Sequence, residues 1–328
     1  MSKKIKILCL TDHSGHSSEN SVYALLKTML QHPDCAQIDV ASRGHKENDS
    51  FFYQFHNNPL HVVQVSPNFE WDKTGMQFSQ NTKSVSISDY DWIFLRLPRP
   101  IPEGFFEFLM SIFPEERIFN RPSGIIETSS KAFLLEVADI CPPMQLIYNQ
   151  ASLEAFKAKF PIVLKPFLNY GGKGILKIKD DLVWEGQQAS PYSDWVAAQD
   201  FDNFEYLGMQ YMENVHLGDK RIIVCNGQIL TAAIRYPAEG SWMCNVAQGG
   251  HSAPSKPTLE EYQMIDKLTP ILLPKGIVIY GVDTLAGPEG KRVLSEINTL
   301  SIGGIAPSGQ NVVQKAVNAI WEFILNHH

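Results

Sequence analysis

The stretch that most constrains this chain lies near its end: "GIVIYGVDTLAGPEGKRVLSEIN", residues 276–298. Two apolar runs flank Gly287-Pro288-Glu289-Gly290, a turn signal, so the segment reads as a β-hairpin. Asp283, Glu296 and Asn298 sit inside it. Residues two apart on a strand share a face, so Glu296 and Asn298 point the same way. A hairpin centred on the turn sets Asp283 opposite Leu294 and makes Asp283 and Glu296 diagonal neighbours, roughly 7–8 Å apart at Cα. Two carboxylates and an amide oxygen at that separation suit a hard divalent cation. A slip of one residue breaks the arrangement, and solvent-facing polar positions explain the spacing equally well. The apolar neighbours favour burial, and buried carboxylates need partners.

The chain has 328 residues, enough for two or three domains around sizeable cores. Hydrophobic residues make up 44% and charged residues 19%, an ordinary globular balance. The net charge of −7 argues against broad nucleic-acid binding, which needs a basic surface, but leaves room for a local basic pocket. Five scattered cysteines with no CxxC pair argue against a disulfide framework or zinc site and for a reducing, cytoplasmic setting. "MSKKIKILCL" opens like a signal peptide, but its apolar stretch is short and lacks a small-residue cleavage site, so it reads as a first buried strand. No apolar run approaches the ~18 residues that span a membrane.

Upstream of the hairpin, "IKILCL" (5–10), a helical pattern over 21–30 and "QIDVAS" (37–42) give a β-loop-α-β opening of an α/β domain. A strand over 89–98 ends at Arg96, a helix follows at 104–113, and Pro122 marks a boundary. Helices are expected over 129–137, capped by Ser129 or Ser130, and over 152–160. Strands are expected at 162–166 and 174–180, while 181–203 carries no clear pattern. Residues 206–214 and 220–237 read as antiparallel β structure, the latter turning at Asn226-Gly227. Helices are expected over 258–273 and 310–325. The second presents Val313, Ala316, Val317, Ile320 and Ile324 to a sheet.

Two further stretches carry chemistry. "LKPFLNYGGKGI" (164–175) is a strand, a loop with Gly171, Gly172 and Gly174, and a second strand. Glycines let backbone N–H groups approach a phosphate chain, and Lys165 supplies a point charge. A plain hairpin with a surface lysine fits the stretch as well. "HLGDKRIIVCNGQILTAAIRYP" (216–237) places Arg221 at the start of one strand and Arg235 at the end of the next. Their planar guanidinium groups suit phosphate or carboxylate, although scattered surface arginines are the commoner origin of such residues. "CLTDHSGHSS" lacks the dinucleotide fingerprint, which disfavours a dehydrogenase.

The order Lys131, Lys165 with GGKG, "MQYME", "GDKR", "IRYP", "NVAQGG", "GVD" and "EIN" resembles the ATP-grasp enzymes, in particular bacterial-type glutathione synthetase. The resemblance covers nearly the full chain, more weakly over 1–88. It implies an α/β chain, α+β in its C-terminal half, with a Rossmann-like pre-ATP-grasp domain (1–121) and an ATP-grasp domain (122–328). The latter divides into a lid part (122–205) and a catalytic part (206–328). It also implies that ATP phosphates are held by Lys131 and Lys165 under a loop with Gly171, Gly172 and Gly174. Adenine lies along Gln210, Tyr211, Met212 and Glu213, and the ribose on Asp219. Arg221 and Arg235 stand beside the transferred phosphoryl group, with Lys165 counted among the catalytic residues. Asp283, Glu296 and Asn298 hold Mg²⁺, or Mn²⁺ in its place. Arg96, Arg235, Asn245, Gly249, Gly250, Ser301 and the loop from Asp12 to Ser21 face the second substrate.

The implied reaction is ATP-dependent joining of a carboxylate to an amine through an acyl phosphate. Small amino-acid or peptide substrates are implied as partners, with no nucleic acid or membrane, and homo-oligomers are left open. Three departures bear on substrate. "TLSIGG" replaces hydroxyl-bearing residues and a proline after "EIN", keeping only Ser301; Met243 stands where the pattern has arginine; and the turn between Asp283 and Glu296 is longer. The alternatives are a peptide ligase with another acceptor and a nucleotide-binding protein without ligase activity.

Overall fold

The computed structural model describes residues 3–167, 173–244 and 249–328. Gly171, Gly172 and Asn245 lie outside the described residues. Three sheets organise the chain. The first contains β1 (Ile5–Thr11), β2 (Cys35–Ser42), β3 (Leu60–Gln64), β4 (Lys83–Val85), β5 (Trp92–Leu95) and β6 (Ile118–Phe119) in the order β4-β3-β2-β1-β5-β6. Strands β2, β1, β5 and β6 run parallel, and β3 and β4 extend the sheet antiparallel. Helix α1 (Ser21–Leu30) links β1 to β2; the Asn20 side chain caps it by accepting from the Val22 N–H. The short α2 (Asp49–Phe52) and the amphipathic α3 (Phe105–Ile112) bury Phe51, Phe52, Phe105 and Phe106 in the core.

The chain leaves this sheet at Asn120, whose buried amide has every hydrogen-bonding position used. Its Nδ2 donates to the Ile279 and Thr299 carbonyls at 2.6 Å each, and its Oδ1 accepts from the Val278 and Ile279 N–H groups at 2.8 Å each. Pro122 opens α4 (Pro122–Thr128), because a proline in the first helical turn forfeits no intrahelical bond. The helix expected over 129–137 is instead a 3₁₀ segment, Lys131–Ile140. Ser130 caps it through the Ala132 N–H, Val137 (φ −129°) leaves helical geometry, and Pro142-Pro143 stop its continuation.

The second sheet has β7 (Met144–Ile147), β8 (Ile162–Pro166), β9 (Leu176–Lys179), β10 (Leu182–Glu185), β11 (Gln188–Pro191) and β12 (Tyr206–Gln210), ordered β11-β10-β9-β8-β12-β7. It carries α5 (Gln150–Lys157) and α6 (Tyr192–Ala197). The patternless 181–203 thus holds an edge hairpin and a short helix; an exposed edge strand such as β11 has no buried face to imprint a period. Residues 206–210, the first of the part that the resemblance calls catalytic, pair with β7 and β8 in this sheet.

The third sheet contains β13 (Asp219–Cys225), β14 (Gln228–Tyr236), β15 (His251–Ser255), β16 (Ile279–Ala286) and β17 (Arg292–Asn298), all antiparallel in the order β15-β14-β13-β16-β17. Asn226 (φ 47°) and Gly227 (φ 74°) form the left-handed pair that a two-residue hairpin requires. Helix α7 (Leu259–Leu272) packs on the back of this sheet. Helix α8 (Gln310–Asn326) buries the expected face and also Trp321 and Phe323, packing on α1 as well as on β13 and β14. Gly124 marks a close approach: a Cβ there would lie 2.0 Å from the Lys275 carbonyl oxygen, so only glycine lets α4 meet the chain after α7. No helix among the described residues is long and apolar enough to cross a membrane.

Candidate active site

The register of β16 and β17 corrects the expected pairing. Asp283 lies directly opposite Glu296, not Leu294, because Ser295 is an extra residue on β17, a β-bulge. Leu294 pairs with Thr284 and turns into the core, while Glu296 and Asn298 face the same side as Asp283. Asp219 opposes Arg235, and Arg221 opposes Asp283. Period-two alternation therefore sets all of these side chains on one face of one sheet.

That face is densely charged. Arg221 grips Asp283 in a two-pronged bond, Nε to Oδ1 at 2.7 Å and Nη2 to Oδ2 at 2.6 Å. Arg235 Nη2 lies 2.8 Å from each Asp219 oxygen and 3.1 Å from Asp283 Oδ2. Lys131 Nζ reaches Glu296 Oε1 at 2.5 Å. Buried Lys165 donates to the Ser295 carbonyl at 2.8 Å, a carbonyl the bulge presents, and Ser295 Oγ donates to the Asp283 carbonyl at 3.1 Å. With its oxygen turned to Arg221, the Asn298 amide accepts from Nη2 at 3.2 Å and donates to Glu296 Oε1 at 3.2 Å.

Burial alone would raise Asp283, but Arg221 and Arg235 outweigh it and hold this carboxyl well below the usual range. For Asp219, burial and then the Asp283 charge prevail over Arg235, lifting it to about 6. Burial pulls Lys165 downward against the pull of Glu296.

The charges open into a cavity of about 340 Å³ between the second and third sheets. Lys165, Gln210, Tyr211, Met212, Asp219, Arg221, Arg235, Asp283, Glu296 and Asn298 all line it. Lys131 meets it through Glu296. Glu213 turns away to Lys179 at 2.9 Å, leaving only its backbone near the linker. Gly174 (φ 71°) enters β9 beyond the cavity residue Lys165. Arg96 does not reach the cavity lining. It is buried, its Nη2 donates to the Ile302 carbonyl at 2.7 Å, and its own carbonyl accepts from Ser301 Oγ at 3.1 Å. Ser301 (φ 52°) is thereby fixed against the first sheet, while Gly249 (φ 90°) and Gly250 lead into β15.

The sequence reading missed the apolar wall of Val163, Ile175, Met209 and Leu285, together with Trp242 and Cys244. Val163 was accessible in principle, since it shares a strand face with Lys165. The Ser295 carbonyl was not, because no residue pattern announces a bulge.

An apolar lining of Val163, Ile175, Met209 and Leu285 beside four cations and three carboxylates fits a nucleoside triphosphate. Comparison with known proteins agrees. Residues 130–312 match the model of the prokaryotic glutathione synthetase ATP-grasp domain. The chain belongs to that family: it is an ATP-dependent ligase of the ATP-grasp class that forms carbon–nitrogen bonds. The glutathione synthetase of Mesorhizobium japonicum is 26% identical over 255 residues, 74% of each chain. That of Parasynechococcus marenigrum is 27% identical over 277 residues, 83% of this chain and 81% of the relative. In fold, the D-cycloserine synthetase DcsG superposes with a TM-score of 0.64 at 13% identity, covering 97% of this chain and 99% of the other. The D-alanine–D-alanine ligase of Bacillus anthracis gives 0.56 at 15% identity, with 98% of each chain covered.

Proposed function

We propose that this ligase activates a substrate carboxylate as an acyl phosphate and passes it to the amine of an amino acid or short peptide. The single observation that carries the reading is the convergence of Lys131, Lys165, Arg221 and Arg235 with Asp219, Asp283 and Glu296 on one sheet face beside an apolar slot. Phosphoryl transfer calls for positioning and charge neutralisation more than for a protein nucleophile, and these residues supply both. Lys131 and Lys165 would hold the phosphates, with Gly171, Gly172 and Gly174 in the loop above them. Gln210 to Glu213 would edge the adenine and Asp219 the ribose. Arg221 and Arg235 would neutralise the oxygens of the phosphoryl group in flight.

Asp283, Glu296 and Asn298 form an all-oxygen donor set that suits Mg²⁺, or Mn²⁺. Their fit to a cation is visible in the guanidinium and ammonium groups they already grip. When bound there, the ion would offset phosphate charge. Among the described residues no group of three or more His, Cys, Asp or Glu side chains gathers to hold a metal, so Asn298 is the third donor this reading requires.

In this reading γ-glutamylcysteine and glycine are the family's pair, and the loop Thr299 to Gly304 separates this chain from it. The loop is anchored from below: Thr299 by Asn120 and Thr128, and Ser301 and Ile302 by Arg96. A Cβ at Gly303 would meet nothing within 4 Å, so the loop offers bare backbone where hydroxyls are expected. A smaller or more apolar amine substrate suits such a surface. Five free cysteines support a reducing compartment. ADP release should be measured with Mg²⁺-ATP across a panel of amino acids and dipeptides. Turnover with at least one carboxylate–amine pair is expected, and a pair other than γ-glutamylcysteine with glycine would keep ligation and reject glutathione as product. No turnover with any pair would count against the acceptor class.

A further inference from the structure

Lys177 on β9 pairs with Val163 of β8 and Trp184 of β10, so it continues across the second sheet the row that lines the cavity with Met209 and Val163. Its ammonium stands 4.6 Å from the centroid of the Trp184 ring and 5.3 Å from those of Tyr211 and Trp242. The three rings come from different places. Trp184 belongs to the second sheet, Tyr211 to the linker that leaves it, and Trp242 to the connection following β14 of the third sheet. Trp242 makes a second tie: its Nε1 donates to the Gly186 carbonyl, in the turn between β10 and β11, at 2.7 Å. It also meets Tyr211 edge-on, with centroids 6.3 Å apart. Its neighbours Met243 and Cys244 line the cavity with Asp219 and Arg235, so whatever holds Trp242 holds that wall.

We propose that Trp242, Lys177 and Tyr211 form a clasp joining the connection after β14 to the second sheet at the nucleotide end of the cavity, and that bound nucleotide leaves only when this clasp parts. Lys177 is a positioning residue outside the cavity lining, whereas Trp242 also lines the cavity, so the Lys177 variants read the clasp apart from direct contact with the nucleotide. A cation shared by aromatic rings suits the task, because each contact is modest and the set breaks as a unit. Bringing sheet, linker and connection together restricts the opening through which a nucleotide passes.

The inference rests on the nucleotide reading of the cavity, and the test separates the two. A fluorescent N-methylanthraniloyl ADP is bound in the presence of Mg²⁺ and chased with excess ATP, and its release is followed by stopped flow. Wild type, Trp242→Ala, Trp242→Phe, Lys177→Met and Lys177→Arg are compared, with thermal melting to confirm folding. Release should accelerate at least about tenfold in Trp242→Ala and Lys177→Met. Trp242→Phe should fall between, since it keeps a ring and loses the N–H, and Lys177→Arg should restore near-wild-type release. Should Trp242→Ala not fold, Trp242→Phe and Lys177→Met carry the same comparison. Nucleotide binding with release within twofold of wild type in the folded variants overturns the clasp alone. No binding by the wild type overturns the nucleotide reading and the clasp with it.

Discussion

Asp283 is held by two arginines at once, and its removal exposes what the site depends on. Asp283→Asn leaves Arg221 and Arg235 facing each other across a buried amide. A loss of about 3 kcal/mol in urea unfolding is expected, because stripping one partner from a buried ion pair strands the other charge. Glu296→Gln should be gentler on stability, since Glu296 is partly exposed, but should lower kcat/KM by at least about 100-fold in an ADP-release assay. A third residue lies outside the cavity lining. His16 shares its ring nitrogens with Tyr23 Oη (2.8 Å) and Thr11 Oγ1 (3.1 Å), and burial, reinforced by His13, lowers its pKa to about 4. The unfolded chain then binds a proton near pH 6.5 that the folded chain refuses until about 4. The stability His16 confers is therefore full above pH 6.5 and lost as pH falls toward 4, by about 1 kcal/mol after allowing for its partial exposure. His16→Gln should flatten that part of the stability–pH curve measured by urea titration. None of these magnitudes was legible in the sequence, which supplied the residue types but not the partners that bury or ionise them.

At the scale of elements, legibility followed the strength of the local pattern. Helices α1, α7 and α8 and the turn at Asn226-Gly227 came through because a buried stripe or a left-handed pair leaves a mark on the sequence. The hairpin holding the acids was legible, but its register was not. The Ser295 bulge is set by Lys165, a residue from another sheet reaching its carbonyl, and by a hydroxyl bonding back to Asp283. The segment 129–137 misled for a related reason: its helical spacing is real, yet it is wound as a 3₁₀ segment interrupted at Val137, and it delivers Lys131 to Glu296. Packing between elements also leaves little trace. Gly124 sits in a helix, where glycine ordinarily weakens, yet the Lys275 carbonyl leaves no room for a methyl group. Gly124→Ala should cost about 2 kcal/mol, seen as a lower urea midpoint with an unchanged slope, as overpacking predicts.

At the scale of the molecule, the three sheets divide the labour. The third carries the charges, the second closes the apolar slot, and the first anchors the loop after the acids through Asn120 and Arg96. The charged residues of the cavity were readable because their motifs stand in the order the family resemblance supplied. The setting of the loop after the acids was not, because it is fixed by contacts from Arg96 and Asn120, which follow strands of a different sheet. The central claim is that the chain activates a carboxylate by phosphorylating it. The most direct test uses the active pair found in the panel, with its carboxylate labelled with ¹⁸O, and mass analysis of the released phosphate. An acyl phosphate requires one labelled oxygen to move from carboxylate to phosphate for every amide formed. Unlabelled phosphate accompanying amide formation would contradict the account.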